Sequence, residues 1–191
     1  MKNLNMSPHR AEDLDTLSRI KSASRVLQCL TSIGLVLVVV ASVGLTLNPA
    51  WFDAAIGNAF PDLVIATGIT PIKRIGMICL AAFPITLVFY GLWHLRLLFV
   101  AYRHGRIFSD EAPDHLLKVG LAMAGNALAA MILHPLGSLI LTYDNLVGSR
   151  QLSVSMSSNT YTLILTGGLL IVIGWVMREA ARISDENRQF V

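Results

Sequence analysis

Four stretches of the chain, Val26 to Leu47, Ile75 to Leu95, Val119 to Tyr143 and Thr160 to Met177, hold no Asp, Glu, Lys or Arg and are dominated by apolar residues. Each approaches or exceeds the roughly 20 residues that carry a helix across the hydrocarbon core of a bilayer. Peptide groups left unpaired in lipid are costly, so a spanning segment must be a helix or part of a closed barrel. The in-out alternation of barrel strands is absent from all four runs. The pattern therefore predicts an all-α, polytopic membrane protein with transmembrane helices at about 26–47, 75–95, 119–143 and 160–177. One membrane domain over 26–191 follows an N-terminal segment over 1–25.

Between the runs the pattern changes. Ser7 and Pro8 offer a cap and a first helical position, and Leu14, Leu17 and Ile20 recur at helical spacing among charges, which predicts a short amphipathic helix on the membrane surface. The connection from Asn48 to Thr70 holds Pro49, Gly57, Pro61 and Gly68, which break any continuous helix, although some ordered structure is expected there. Thr70 and Pro71 read as N-cap and first helical residue, so the second helix should begin ahead of its apolar run, kink at Pro84 and stop at Gly105. Ser109, Asp110 and Glu111 mark the next N-terminus, with Pro113 tolerated in its first turn. Between Asp144 and Asn159, Leu152, Val154 and Met156 alternate with Ser153, Ser155 and Ser157. Period two predicts a short strand, and Leu63 to Ala66 is its expected partner in a small hairpin-like extracytoplasmic cap.

Charge sets the orientation, because Lys and Arg are retained on the cytoplasmic side. Twelve of the fifteen basic residues lie in the N-terminal segment (Lys2, Arg10, Arg19, Lys21, Arg25), the connection after the second run (Arg96, Arg103, Arg106, Lys118) and the C-terminal tail (Arg178, Arg182, Arg188). Lys73, Arg74 and Arg150 remain for the other side, so both termini are expected in the cytoplasm. Trp51, Tyr143 and Tyr161 fall at the outward ends of their runs, and Tyr90, Trp93, Tyr102 and Trp175 toward the inward ends, as headgroup layers favour. A composition of 54% hydrophobic and 14% charged residues agrees with this layout. The isoelectric point near 9.1 reflects basic residues spread over three segments with acids between them, so no direct nucleic-acid binding is expected. The first run exceeds the apolar core of a signal peptide and follows a mixed-charge segment, and is expected to stay as an anchor. Cys29 and Cys79 lie at membrane depth without CxxC spacing, which suits structural thiols.

Polar residues inside spans are functional hypotheses, since burying them is expensive. His134 precedes Pro135 in the third run, and Asn126, eight residues earlier, lies about 80° away around an ideal helix. The two could line one polar seam, either as a proton or ligand site or as an interhelical hydrogen bond. The other histidines, His94 at the inward end of the second run and His9, His104 and His115 in cytoplasmic segments, show no converging metal cluster. His94 and Arg96 are placed to reach lipid headgroups. Gly120, Ala124, Gly125, Ala129, Gly167, Gly168 and Gly174 should permit close helix packing in a compact bundle or at a homodimer face. No HExxH, GxSxG, CxxC or P-loop pattern occurs, so neither enzymatic activity nor a cofactor is expected.

The run Gly105-Arg106-Ile107-Phe108-Ser109-Asp110-Glu111 resembles the loop signature of an uncharacterised bacterial membrane family, domain of unknown function 2975. The ending Glu179-Ala180-Ala181-Arg182-Ile183-Ser184-Asp185-Glu186-Asn187 with Val191 resembles that family's C-terminal signature after its fourth span. The likeness runs from the first span to the end of the chain, while Pro113 and the long N-terminal segment depart from the pattern. The resemblance implies a bacterial inner-membrane location, no established activity, and the company of small helix-turn-helix regulators. A regulatory or sensory protein is expected, holding a soluble cytoplasmic partner through Arg106, Phe108, Arg178, Glu179, Arg182, Glu186 and Asn187. A small transporter or channel lined by Asn126 and His134 is the alternative.

The orientation can be checked in a chain whose Cys29 and Cys79 are replaced by serine. A membrane-impermeant maleimide applied to intact cells should label Ser155→Cys and leave Ser109→Cys untouched, whereas the opposite labelling would invert the topology.

Overall fold

Each apolar run lies inside one long helix of the computed structural model, which describes residues 8–103, 111–146, 152–153 and 157–188, with side chains from Ser22 onward except those of 184, 185, 187 and 188. The helices are α1 (Pro8–Leu47), α2 (Pro49–Ala59), α3 (Pro71–Arg103), α4 (Glu111–Thr142) and α5 (Ser158–Arg188). Four of them, α1, α3, α4 and α5, are long and apolar enough to cross a membrane, and the chain is a multi-pass membrane protein. Their outer faces are apolar: Val36, Val40, Leu121, Ile132, Leu169 and Val176 are all more than half exposed. Hydroxyls within the spans bond back to their own helices, as Thr31 does to Leu27 O at 3.0 Å, Ser42 to Val38 O at 2.6 Å and Thr86 to Ala82 O at 2.8 Å. Such groups need no partner across the lipid.

Two expectations for the segments outside the spans change. Residues 8–20 do not form a separate surface helix but continue into the first span as α1, since no Gly or Pro interrupts the chain between Pro8 and Gly34. In the connection after α1, Pro49 starts a helix rather than breaking one. Asn48 caps α2, its Oδ1 accepting from Ala50 N at 3.0 Å and Trp51 N at 3.4 Å, and Pro49 occupies the first helical position, where its missing N–H is harmless. With Asn48 alone between the helices, α2 folds back on α1. Gly44 admits this return, because a Cβ there would lie 2.9 Å from the Trp51 ring.

The expected two-strand cap is also replaced. Among the described residues there is no strand; Leu63 to Ala66 are irregular or in a turn, Leu152 and Ser153 are irregular, and 154–156 lie outside the described residues. The Asn145 side chain joins the two connections. Asn145 donates from Nδ2 to Val64 O at 2.9 Å and accepts at Oδ1 from Ala66 N at 3.2 Å. Its amide thus meets the donor and acceptor that a neighbouring strand would have met, so the pairing needs no second strand.

The N-terminal signals of the later helices hold. Thr70 Oγ1 accepts from Lys73 N at 3.5 Å ahead of Pro71, α3 continues through Pro84, and α4 carries Glu111, Pro113 and Asp114 in its first turn. Gly105 and Ser109 lie outside the described residues. At the head of α5, Ser157 Oγ accepts from Thr160 N at 3.2 Å.

The spanning helices form an open row, α1 against α3, α3 against α4 and α4 against α5, and α1 and α5 do not approach each other among the described residues. A closed bundle is absent there. One end of the row, the loop end, carries α2, the connection 60–70 and the described residues 143–146, 152–153 and 157; the other, the terminal end, carries the start of α1 and the end of α5. At the loop end Phe52, Ile56, Phe60, Met77 and Leu141 form a core, and at the terminal end Leu98, Ala112 and Leu116 form a smaller one. The α4–α5 contact is built on small residues: a Cβ on Gly120 would lie 2.7 Å from Gly167 O and 2.9 Å from Ile171 N, and one on Gly167 would lie 2.8 Å from Ala124 N. Gly174 similarly admits Leu117, whereas Gly168 faces open space.

This contrast is testable on a single pair of helices. Gly120→Ala should destabilise the protein by about 1–3 kcal/mol, because the obstructing atoms are backbone and the helices must separate. Gly168→Ala should be neutral or slightly stabilising, since alanine is the better helix former by up to about 1 kcal/mol. Thermal unfolding in mild detergent compares the two.

Candidate functional site

The loop end places charge where charge is expensive. Lys73, in the first turn of α3, faces inward and is fully enclosed. A lysine at that position opposes the helix dipole as well as losing its water, so an anion must be supplied. Asp144, just past α4, supplies it: Lys73 Nζ lies 2.6 Å from Asp144 Oδ1 and also donates to Thr67 Oγ1 at 2.8 Å and Gly68 O at 3.1 Å. The ammonium thus faces one carboxylate, one hydroxyl and one carbonyl. Thr67 Oγ1 donates in turn to Asp144 Oδ2 at 2.6 Å, and the Tyr143 ring centre lies 5.8 Å from the ammonium. Gly68, at φ +72°, is in the left-handed region that favours glycine, and its carbonyl is the one that Lys73 reaches. The Asp144 carboxyl is held below the usual carboxylate range by the Lys73 hydrogen bond first and the Thr67 hydrogen bond second. Beside this group, Arg74 pairs with Asp53 at 3.2 Å and lies over the Phe52 ring.

His134 sits one helical stretch deeper, on α4. Its ring stacks on Phe60 with centroids 4.5 Å apart and planes 15° from parallel, and Nε2 lies 3.4 Å from Ser153 Oγ, the donor depending on the tautomer. Ser153 N donates to Ser138 Oγ at 3.0 Å, and Ser138 Oγ donates to Pro135 O at 2.7 Å. Gly137 lets Phe60 reach the histidine, since a Cβ there would meet the Phe60 ring at 2.8 Å. Around them is a cavity of 430 Å³ lined by Ala59 to Leu63, His134, Leu152 and Ser153, with the Asp62 carboxylate among its polar groups. A space of that size, part aromatic and part polar, suits a small polar ligand.

Asn126 is elsewhere. It lines a mainly apolar cavity of 190 Å³ with Leu87, Gly91, Leu95, Met123 and Leu163. Asn126 and His134 line different cavities, and at the loop end Lys73, Thr67 and Asp144 meet.

At the terminal end two histidines converge. His94 Nδ1 and His115 Nδ1 are 3.1 Å apart, with Tyr90 edge-on to His94 at 4.4 Å. Such a contact requires one Nδ1 to carry hydrogen and the other to be bare. Arg96, which was expected at the headgroups, instead donates from Nε to Ser32 Oγ at 3.1 Å, and Arg103 donates to Gln28 at 3.2 Å, tying α3 to α1. Of the residues expected to hold a partner, Arg178 pairs with Asp114 across to α4, and Arg182 bridges Glu179 and Glu186 on its own helix, at 2.9 Å to the latter. All four remain about half exposed or more. Arg106 and Phe108, and the Asn187 side chain, lie outside the described residues. Among the described residues no three His, Cys, Asp or Glu converge on a metal position.

Sequence reasoning missed both pairs. For Lys73 a signal existed, a cation in the first turn of an apolar helix with few acids within reach; for His94 and His115, 21 residues apart on antiparallel helices, none did. A family model described as "Protein of unknown function (DUF2975)" matches residues 9–190 of the chain. Neither a curated protein nor a solved structure matches it.

The Lys73–Asp144 pair generates an asymmetric outcome. Asp144→Asn leaves an enclosed ammonium without its counter-charge, whereas Lys73→Met leaves a carboxylate that water can reach, so the first should lower the unfolding temperature more. Because the folded carboxyl is depressed, its contribution to stability is complete above the usual carboxylate range, near pH 4, and is lost as pH falls through the depressed value. Melting curves between pH 7 and 3 should show this acid loss in the parent chain and a weaker one in Asp144→Asn; equal acid slopes would remove the pair from the account.

Proposed function

The chain belongs to the DUF2975 family of proteins of unknown function, and we propose that it is a regulatory or sensory protein, not an enzyme, that takes an input at the loop end and passes it to a soluble partner at the terminal end. Its place is the bacterial inner membrane, with the terminal end in the cytoplasm, where the basic residues concentrate. The observation that carries this reading is α4. One helix bears His134, in the cavity with Phe60 and Ser153, and leads directly to Asp144 at the loop end. Twenty residues earlier it bears Asp114 and His115, which touch α5 and α3 at the terminal end. A shift of this rod on ligand binding would change both contacts at once.

Transport is the weaker reading, because Asn126 and His134 open onto separate cavities and the one around Asn126 is mainly apolar. The partner is a soluble protein that meets the exposed ends of α4 and α5, where Arg178, Glu179, Arg182 and Glu186 lie, with Arg106, Phe108 and Asn187 beside them in sequence. A regulator of helix-turn-helix type, the class that the family resemblance implies, fits this position. Self-association as a homodimer is compatible with the open row.

The intact tagged chain should retain a soluble protein after gentle detergent extraction, and a chain lacking Ile183 to Val191 should lose it. His134→Ala should change the amount retained by roughly fivefold or more, the lower range of allosteric coupling. If nothing specific is retained by the intact chain, or if retention ignores both changes, the sensory reading fails.

A further inference from the structure

At the α1 flank of the row, α1 and α3 meet at Gly34 and Leu92 and then part toward the loop end, where Ala59 and Phe60 border both this space and the His134 cavity. Between them, under α2, lies a groove of 460 Å³, within the size range of ligand sites. Its walls are apolar, and the space exists because Ala55 of α2 and Ala81 and Ala82 of α3 stand where larger side chains would fill it. The three hydroxyls on its rim demand nothing of an occupant: Ser42, Thr46 and Thr86 bond to Val38 O, Val43 O and Ala82 O of their own helices. The guest must be apolar along its length.

One charged group stands beside this groove. Phe52 lines it and carries the Arg74 guanidinium 5.2 Å from its ring centre. Arg74 gives one nitrogen to Asp53, and its side chain stays a quarter exposed, so the guanidinium keeps donors that a ligand can reach. A phosphate oxygen bonds such a guanidinium better than a neutral group does. Arg74 also lies in the first turn of α3, where the helix dipole favours an anion. The exposed Trp51 on α2 sits where such side chains mark the headgroup layer.

We propose that the α1–α2–α3 groove holds one acyl chain of an anionic phospholipid whose phosphate is bound by Arg74. The source is the bilayer itself, because the groove belongs to the apolar segments of α1 and α3 and Arg74 stands at their end. The lipid then fills the gap between α1 and α3 and completes the contact that α2 begins.

Native mass spectrometry tests this on the full chain in mild detergent, titrated with mixed micelles of palmitoyl-oleoyl phosphatidylglycerol or of the matching phosphatidylcholine. The parent chain should bind phosphatidylglycerol in preference. Ala81→Phe, which fills the groove, should weaken that binding by about tenfold, and Arg74→Gln should abolish the preference between the two headgroups. Leu128→Phe, on the exposed face of α4, should change neither. Ala55→Phe fills the groove from α2 and provides the same readout if Ala81→Phe does not fold. Equal binding of the two lipids by the parent chain, undiminished binding in a folded groove-filling variant, or oleate bound in preference to the phospholipid would each overturn the proposal.

Discussion

A peptide N–H or C=O inside a hydrocarbon layer can bond only to protein, and the long helices that meet this demand make up most of the described chain. The same demand governs details that look unrelated. Serines and threonines within the spans turn back onto carbonyls of their own helices. Asn48 completes the start of α2, and Asn145 satisfies the backbone of Val64 and Ala66 without a second strand. Arg96 and Arg103 find oxygens on α1. Most of these polar groups are met locally or by a single reach across a helix pair, while the buried Arg74 Nε has no hydrogen-bond partner and the buried Asp144 Oδ1 has only its ion pair with Lys73.

Charge at the loop end follows a stricter version of that rule. Lys73 and Arg74 are adjacent in sequence but point to different partners, Asp144 past α4 and Asp53 on α2. Two ion pairs thereby tie the start of α3 to the end of α4 and to α2. The enclosed pair is a device for holding one arrangement more than a source of net stability, since desolvation offsets much of the attraction. Asn145, next in the chain after Asp144, holds Val64 and Ala66 of the connection that also carries Thr67 and Gly68.

The open row gives α4 its position. It is flanked on both sides, by α3 and by α5, while α1 and α5 each leave a face for lipid. Close approach to α5 depends on Gly120, Ala124 and Gly167, so a small displacement of α4 cannot be absorbed at that contact and must be passed along. The groove on the α1 side differs in kind, since apolar space is left open between α1 and α3 under α2.

Much of this was legible in the residues alone. Unbroken apolar runs specify four helices of spanning length, because the bilayer tests only length, polarity and backbone pairing, and all three are local properties. Thr70 with Pro71, and the acidic Glu111, mark helix starts for the same local reason. Small residues announced the α4–α5 contact, although the line could not say that Gly120 and Gly167 would meet and Gly168 would not. The period-two alternation at 152–156 has no strand counterpart among the described residues, where the Asn145 side chain meets the Val64 and Ala66 backbone instead. The sequence thus determined the membrane-spanning helices and the uneven charge between their ends. Only the tertiary structure decided that Lys73 meets Asp144 and that His94 meets His115, because those outcomes depend on the order and register of different helices.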